Sequence, residues 1–148
     1  RDHNVYGPMG TFDGGREKAP AALCRKLIVA KNSGEKKIDV WGDGEQTRSF
    51  LFIDDCLDAI SLLMKSNTIE PVNIGSDHLV SINEYVGLLK KISKKEFNLE
   101  YVNGPTGVHE RECSIKKIKE KLGWSPKVST ELSAQLTYEW IQAQIKKK

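Results

Sequence analysis

The chain has 148 residues, of which 39% are hydrophobic and 29% are charged, and its formal net charge is +3. A chain of this length buries roughly 68–70% of the surface that its unfolded form exposes, and so small a net charge argues against nucleic acid as the main partner. No apolar run approaches the roughly 18 residues that a membrane span needs. These limits predict one soluble domain that binds neither nucleic acid nor membrane.

The three cysteines, Cys24, Cys56 and Cys113, are far apart in the sequence, odd in number and without a CxxC pair. This usage predicts reduced thiols in a cytoplasmic protein and neither a disulfide framework nor a zinc site. Residues 109–113 combine histidine, glutamate and cysteine, but no second histidine follows at helical spacing. We therefore expect no metal site.

The first predicted strand covers residues 2–6 and ends at Gly7-Pro8. Pro20 suits the first turn of a helix, because the amide that it lacks has no partner there. That helix ends at residues 32–34, and its apolar stripe is predicted at helical spacing: Ala19, Ala22, Leu23, Leu27 and Ala30.

Residues 14–26 place two glycines, two arginines, two lysines, a carboxylate and a thiol around the start of this helix. Free amides and the helix dipole attract anions to a helix N-terminus, and the added side-chain charges reinforce that preference. This pattern predicts a site that handles anions. A solvated basic face is the alternative.

The next predicted strand covers residues 38–41 and runs into a turn at residues 42–44. Residues 47–53 then alternate as a strand, with Arg48 on the same face as Phe50 and Phe52, so that the strand aims Arg48. We expect mixed pairing of the strands on either side of the turn.

Asp54 is predicted to cap a helix whose buried stripe contains four apolar residues, Leu57, Ile60, Leu63 and Met64. A short buried strand follows at residues 71–75. Ser81 and Glu84 then form a capping box that opens a helix, with an inward stripe of Ile82, Tyr85, Val86, Leu89 and Ile92.

A further strand is predicted at residues 97–101, followed by a polar loop over residues 103–113. Ser114 is predicted to cap a helix that stops at Gly123. The last helix begins near Glu131, and its apolar side is expected to contain Leu132, Leu136, Trp140, Ile141 and Ile145. Alternating strands and helices predict an α/β architecture with a small mixed sheet and flanking helices.

Gly7, Gly10 and Gly14 lie between a predicted strand and helix, where a dinucleotide fingerprint would occur. Their spacing is GxxGxxxG instead of GxGxxG, and Pro8 has no amide to offer a phosphate. We therefore reject this motif as a cofactor-binding loop.

Lys18, Lys26, Arg48 and Arg111 come from separate elements, each beside a glycine-rich or polar turn. Convergence of such groups would bind a diphosphate, since arginine forks bind phosphate oxygens in bidentate fashion. The alternatives are an exposed strand residue for Arg48 and an ion pair with a neighbouring glutamate for Arg111.

Several segments of the chain resemble those of one protein family. Residues 1–8 resemble the R-x-x-N-x-Y-G-P segment of extended short-chain dehydrogenases/reductases of the NAD-dependent epimerase/dehydratase type. Residues 41–55 resemble their G-D-G-x-Q-x-R-x-F…D-D signature, and residues 72–75 and 122–126 continue the likeness. Within this superfamily, residues 14–26 most closely resemble the GDP-mannose 3,5-epimerases.

The resemblance implies that residues 1–148 are the carboxy-terminal nucleotide-sugar-binding region of an isomerase that converts GDP-mannose to GDP-galactose. Residues 1–8 would be the remnant of a strand of a missing amino-terminal cofactor domain, because the chain lacks both a glycine fingerprint and a Y-x-x-x-K pair. NAD would then bind to the complete enzyme, a homodimer, and not to this chain alone, which is expected to be inactive.

In the family's mechanism, NAD transiently oxidises a ring hydroxyl, and a cysteine–lysine pair then exchanges protons at the neighbouring carbons. Lys18 matches the catalytic lysine, whereas Cys24 does not match the cysteine. Ser114 stands where the family usually has aspartate. Matches to substrate-binding positions imply contacts from Asn4, Glu17, Lys18 and Ala19 to sugar and phosphates, and from Lys26, Gln46, Thr47, Arg48 and Arg111 to the nucleotide and diphosphate.

Two alternatives remain open. The chain could belong to another nucleotide-sugar epimerase, dehydratase or decarboxylase, which would not require a lysine proton donor at Lys18. It could instead be a noncatalytic module that binds a nucleotide sugar or a protein.

Overall fold

The computed structural model describes residues 1–105, 107 and 109–147. Its helices, in chain order, are α1 (Ala19–Ser33), α2 (Ile53–Lys65), α3 (Ile82–Ser93), α4 (Lys116–Leu122) and α5 (Thr130–Lys146). Its strands are β1 (Val5–Tyr6), β2 (Lys37–Trp41), β3 (Thr47–Ser49), β4 (Leu51–Phe52), β5 (Leu79–Ser81), β6 (Asn98–Val102) and β7 (Glu110–Arg111).

Across the described residues, the strands form three small sheets. β1 pairs with β4, and β2 pairs with β6, both in parallel. β3 lies between β5 and β7, antiparallel to the first and parallel to the second. The predicted α/β class, with a small mixed sheet and flanking helices, is confirmed. The mixed pairing belongs to β3, however, and β2 pairs only in parallel, in a separate sheet.

The strand predicted at residues 47–53 is divided at Phe50, and its two parts, β3 and β4, join different sheets. The strand predicted at residues 2–6 is also interrupted. Asn4 has a φ of 49°, in the left-handed region that breaks an extended run, so that only Val5–Tyr6 pairs with β4. The strand predicted at residues 71–75 is reduced to a single parallel bridge between Ile74 and Asp2.

The larger hydrophobic core lies among α1, α3, α5 and β2. Leu27 and Leu89 in the helices are completely buried. On α1 the predicted stripe is buried at Leu23, Leu27 and Ala30 and partly buried at Ala19 and Ala22. The capping box of α3 is confirmed, because the Ser81 hydroxyl accepts from the Glu84 amide and the Glu84 carboxylate accepts from the Ser81 amide.

A second core packs one side of α2 against α4 and Trp124. The predicted capping role of Asp54 is wrong: α2 begins at Ile53, and Phe52 occupies the N-cap position. The predicted buried stripe is also wrong, since Leu57, Ile60 and Met64 are exposed and Leu63 is only partly buried. The side that packs inward contains Asp55, Cys56 and Ala59.

The last two helices also differ from the prediction, α4 in its N-cap and α5 in its buried side. Ser114 does not cap α4, which begins at Lys116 with Ile115 at the N-cap position. Leu132 and Leu136 of α5 are exposed, whereas Ile141 is buried as predicted, and the rest of the buried side contains Ser133, Ala134, Thr137 and Tyr138. The loop predicted over residues 103–113 contains β7, while Thr106 and Val108 lie outside the described residues.

Cys24, Cys56 and Cys113 are free and buried. Within residues 1–105, 107 and 109–147, no group of three histidine, cysteine, aspartate or glutamate side chains could hold a metal ion. In the same part of the chain, no helix is both long and apolar enough to span a membrane.

Candidate functional site

A cavity of about 340 Å³ lies where the start of α1 meets β2 and β3. Its lining includes five of the predicted site residues: Glu17, Ala19, Lys26, Gln46 and Arg48. They come from a loop, a helix and a strand that are separated in the sequence by up to 31 positions, so that the tertiary fold assembles them.

Lys18 occupies the N-cap position of α1 and is exposed. Its backbone carbonyl accepts the first helical bond, from the Ala22 amide at 3.0 Å, and its side chain makes no capping bond. Pro20 lies in the first turn, as predicted. Lys18 therefore lies beside the positive end of the helix dipole, next to the cavity-lining residues Glu17 and Ala19.

Arg48 and Arg111 are partners in the parallel register of β3 and β7. One Nη of Arg48 donates to the carbonyls of Thr47 at 2.7 Å and His109 at 3.2 Å. Partial burial, and then the charge of Arg111, lower the pKa of Arg48 from its ordinary value. Each guanidinium disfavours the charge of the other, so an anion bound beside the pair would be favourable.

Lys26 and Trp41 form one wall of the cavity. The Lys26 Nζ lies 5.6 Å from the centroid of the Trp41 ring and donates to the Asp39 carbonyl at 3.0 Å. The backbone of Gly104 packs against the ring, since a Cβ built there would lie 2.7 Å from the Trp41 Cγ. Trp41 is nevertheless 49% exposed, which leaves part of an aromatic side chain open beside a cation.

Gln46 lies buried in the turn between β2 and β3. Its Nε2 donates to the Trp41 carbonyl at 3.0 Å, whereas its buried Oε1 has no hydrogen-bond partner among the described residues. A buried acceptor without a partner is costly. Gln46 lines the cavity, but its Oε1 has almost no accessible surface and lies within the cavity wall.

Four other predicted site residues lie outside the cavity lining: Asn4, Lys18, Thr47 and Arg111. The Asn4 side chain donates to the Ser49 carbonyl at 3.0 Å and thereby joins the segment before β1 to β3. The Thr47 hydroxyl is buried and has no partner among the described residues. Arg111 does not line the cavity itself, but it is the β7 partner of Arg48, which does.

The glycines at the end of β1 do not fit a dinucleotide. The Gly10 amide donates to the Gly7 carbonyl at 3.3 Å, so the segment closes on itself as a turn. α1 begins only at Ala19, whereas a dinucleotide fingerprint leads directly from a strand into a helix. Residues 7–19 therefore do not have the geometry of a dinucleotide-binding loop.

The three small sheets with flanking helices, and the cavity walled by Lys26 and Arg48, define an α/β protein with a cationic cleft. A family model described as "NAD dependent epimerase/dehydratase family" matches residues 1–75, just over half of the chain. The chain therefore belongs to the NAD-dependent epimerase/dehydratase family.

Similar proteins match nearly the whole chain. It is 48% identical to GDP-mannose 3,5-epimerase of Arabidopsis thaliana over 99% of its own length and 38% of that protein. It superposes on UDP-glucose 4-epimerase of Thermotoga maritima, solved with UDP-glucose, with a TM-score of 0.86 and 32% identity, covering 98% of this chain and 45% of the other.

A structure of UDP-glucuronic acid 4-epimerase from Bacillus cereus, in complex with UDP-glucuronic acid and NAD, gives a TM-score of 0.81 at 27% identity. That superposition covers 97% of this chain and 44% of the other. The chain thus spans less than half the length of each of these three relatives.

Sequence reasoning missed the roles of Trp41, Asp39 and Arg25 in lining the cavity. An aromatic residue at the last position of a strand, directly before the Gly42 turn, was the available signal for Trp41. No sequence signal indicates that the Asp39 carbonyl accepts from Lys26, because this contact depends on how α1 packs on β2.

Proposed function

We propose that this chain is the nucleotide-sugar-binding portion of an NAD-dependent epimerase that acts on GDP-mannose. The observation that carries the proposal is the cavity in which Glu17, Ala19, Lys26, Gln46 and Arg48 meet. The 48% identity to GDP-mannose 3,5-epimerase supports this choice of substrate.

The diphosphate of such a ligand needs positive charge. Lys26 and Arg48 supply it from two walls of the cavity, and Arg111 adds a second guanidinium beside Arg48. Charge-assisted hydrogen bonds to such groups contribute about 1.5–3 kcal/mol each. The partly exposed Trp41 ring offers a stacking surface for the base.

Lys18 is proposed as the proton donor for the sugar, because its position at the helix entrance lets its side chain extend from the edge of the cavity. Asn4, Thr47 and Arg111 are proposed as further substrate contacts. Asn4 would contact the sugar and phosphates of the ligand, whereas Thr47 and Arg111 would contact its nucleotide and diphosphate.

The proposal includes a complete enzyme larger than this chain. Residues 1–148 are its carboxy-terminal region, residues 1–8 belong to a strand of the cofactor domain, and NAD binds to the amino-terminal portion. This chain alone is then inactive. The complete enzyme is proposed to be a homodimer in the cytoplasm, where a reducing environment suits three free buried thiols.

Calorimetric titration of this chain with GDP-mannose, and separately with UDP-glucose, tests the proposal. We expect GDP-mannose to bind more tightly than UDP-glucose, and Arg48→Ala to weaken GDP-mannose binding at least tenfold, which corresponds to about 1.4 kcal/mol. The matched control is Arg1→Ala, which removes an exposed arginine outside the cavity and leaves the affinity unchanged.

Failure of both nucleotide sugars to bind would contradict the proposal that this chain builds the site. Tighter binding of UDP-glucose would instead assign the site to a different nucleotide sugar.

A further inference from the structure

Arg25 joins α1 to the loop that precedes it, residues 12–17. Its Nε donates to the Phe12 carbonyl at 2.9 Å and lies 3.6 Å from a carboxylate oxygen of Asp13. Its Nη2 donates to the Glu17 carboxylate at 3.4 Å. One guanidinium therefore contacts both ends of the loop, and its side chain is only 28% exposed.

The Glu17 carboxylate completes this connection. Its second oxygen accepts from the Gly15 amide at 2.7 Å, and its side chain is only 9% exposed. Gly14 and Gly15 have φ values of 93° and 86°, and a Cβ at either position would meet nothing within 4 Å. The glycine turn is therefore not held by close packing around it, and the bond from Glu17 restrains it.

Phe12 anchors the other end of the loop. Its ring packs edge-on against Trp140 of α5, with the ring centroids 5.7 Å apart. Because Phe12 is held by α5 and Arg25 extends from α1, the loop crosses between two helices of the larger core. Lys18 follows Glu17 directly, so the path of this loop sets how Lys18 enters α1.

We propose that Arg25 is a positioning residue, which holds residues 12–17 against α1 and thereby presents Glu17 and Lys18 to the cavity. A lysine cannot replace it fully, because the contacts to Phe12 and Glu17 use different nitrogens of a planar fork. The relevance of this loop to substrate rests on the proposed function, whereas its ordering by Arg25 does not.

Arg25 also lines the cavity, so a direct contact with the ligand is the competing explanation. The two explanations differ in the ligand-free protein. A positioning residue orders the loop before any ligand binds, whereas a residue that only contacts ligand leaves the loop unchanged when it is removed.

Backbone amide ¹⁵N relaxation of the ligand-free chain, as wild type, Arg25→Lys and Arg25→Ala, distinguishes them. We expect the Gly15 order parameter to fall from about 0.85 to below about 0.6 in Arg25→Ala, and to take an intermediate value in Arg25→Lys. The order parameters of Leu27 and Tyr85, in buried helices, should not change.

Lys31→Ala is the matched control, because Lys31 lies on the same helix and donates to the Ser93 carbonyl at 2.8 Å without contacting the loop. It should leave the Gly15 order parameter unchanged. Should Arg25→Ala fail to fold, Glu17→Ala tests the same connection from its other end, because it removes the acceptor of the Gly15 amide, and it should also lower the Gly15 order parameter. An unchanged Gly15 in the folded variants overturns the proposal.

Calorimetry with GDP-mannose then links the loop to the site. We expect Arg25→Ala to weaken binding about tenfold and Arg25→Lys to weaken it less. Weaker binding with unchanged Gly15 order would assign Arg25 a direct ligand contact and overturn the positioning role. If the wild-type chain binds no GDP-mannose, the proposed function fails, and the relaxation data still decide whether Arg25 orders the loop.

Discussion

α1 and α2 both carry apolar residues at helical spacing, but only α1 buries its predicted stripe. Leu27 of α1 is completely buried between α3 and α5, whereas Leu57 and Met64 of α2 are 56% and 81% exposed. The inward side of α2 is instead held by Asp55, whose two carboxylate oxygens accept from the Lys127 and Val128 amides at 3.0 Å each.

This difference shows what periodicity does and does not determine. Spacing identifies which residues share one side of a helix, but only contacts from distant segments determine which side is covered. α1 is enclosed by α3, α5 and β2. On α2, Asp55 lies two residues before Leu57 and therefore about 200° around the helix from it, and the chain segment after α4 contacts this opposite side through Asp55.

The largest expected contrast between the two helices comes from matched leucine truncations. Leu27→Ala removes a fully buried side chain from α1 and should lower the free energy of unfolding by about 2–5 kcal/mol. Leu57→Ala removes an exposed side chain from α2 and should change it by no more than about 0.5 kcal/mol. Urea denaturation followed by circular dichroism measures both values. Equal losses would show that the outer side of α2 is covered in solution.

A second substitution tests the polar anchor of α2. Asp55→Ala leaves two backbone amides without their acceptor and should destabilise the fold by about 1.5–3 kcal/mol. Asp58→Ala is the control on the same helix, because Asp58 is exposed, and should have little effect. Thermal unfolding of the two variants compares them. A harmless Asp55→Ala would mean that apolar packing, and not this carboxylate, orients α2.

The smallest expected effect concerns the thiols of the two helices at alkaline pH. Burial raises the pKa of Cys24 in α1 from 9.0 to about 12, and burial followed by the charge of Asp2 raises the pKa of Cys56 in α2. In the unfolded chain each thiol ionises near its ordinary pKa, so the unfolded state loses protons first. The stability associated with Cys24 is therefore complete below about pH 9 and is lost as the pH rises towards 12.

Urea denaturation at successive pH values between 8 and 10 measures this loss. Relative to wild type, Cys24→Ala should make the free energy of unfolding fall less steeply with rising pH, by at most about 1.4 kcal/mol per pH unit. Cys56→Ala should reduce this pH dependence less, since the Cys24 side chain is completely buried and Cys56 is 4% exposed. The opposite order of the two variants would place the more deeply desolvated thiol in α2.

Local signals predicted the parts of the fold that depend on neighbouring residues. The capping box of Ser81 and Glu84 and the place of Pro20 in the first turn of α1 were both correct, because each depends on residues within one turn. The Asp54 cap failed because Phe52 pairs in β4 and α2 follows it immediately, which places Asp54 inside the first turn.

The sequence motifs predicted some of the residues that line the cavity, but not those whose side chains are oriented by distant segments of the chain. Lys26, Gln46 and Arg48 were expected from the sequence and line one cavity. Trp41 and Arg25 were not, because the backbone of Gly104 orients the first and Phe12 and Glu17 orient the second. The roles of all nine predicted site residues stay predictions, and four of these residues, Asn4, Lys18, Thr47 and Arg111, lie outside the cavity lining.

Phe50 is the one residue between β3 and β4, and these strands belong to different sheets. Its ring packs edge-on against Tyr6 at 6.0 Å and Tyr85 at 6.1 Å, so its position is fixed from both sides of the junction. Phe50 is therefore the covalent connection between β3, which carries Arg48, and β4, which pairs with β1. A rotation of one sheet relative to the other would change the backbone dihedral angles at Phe50. It would therefore also change the orientation of β3 and of Arg48, which β3 carries.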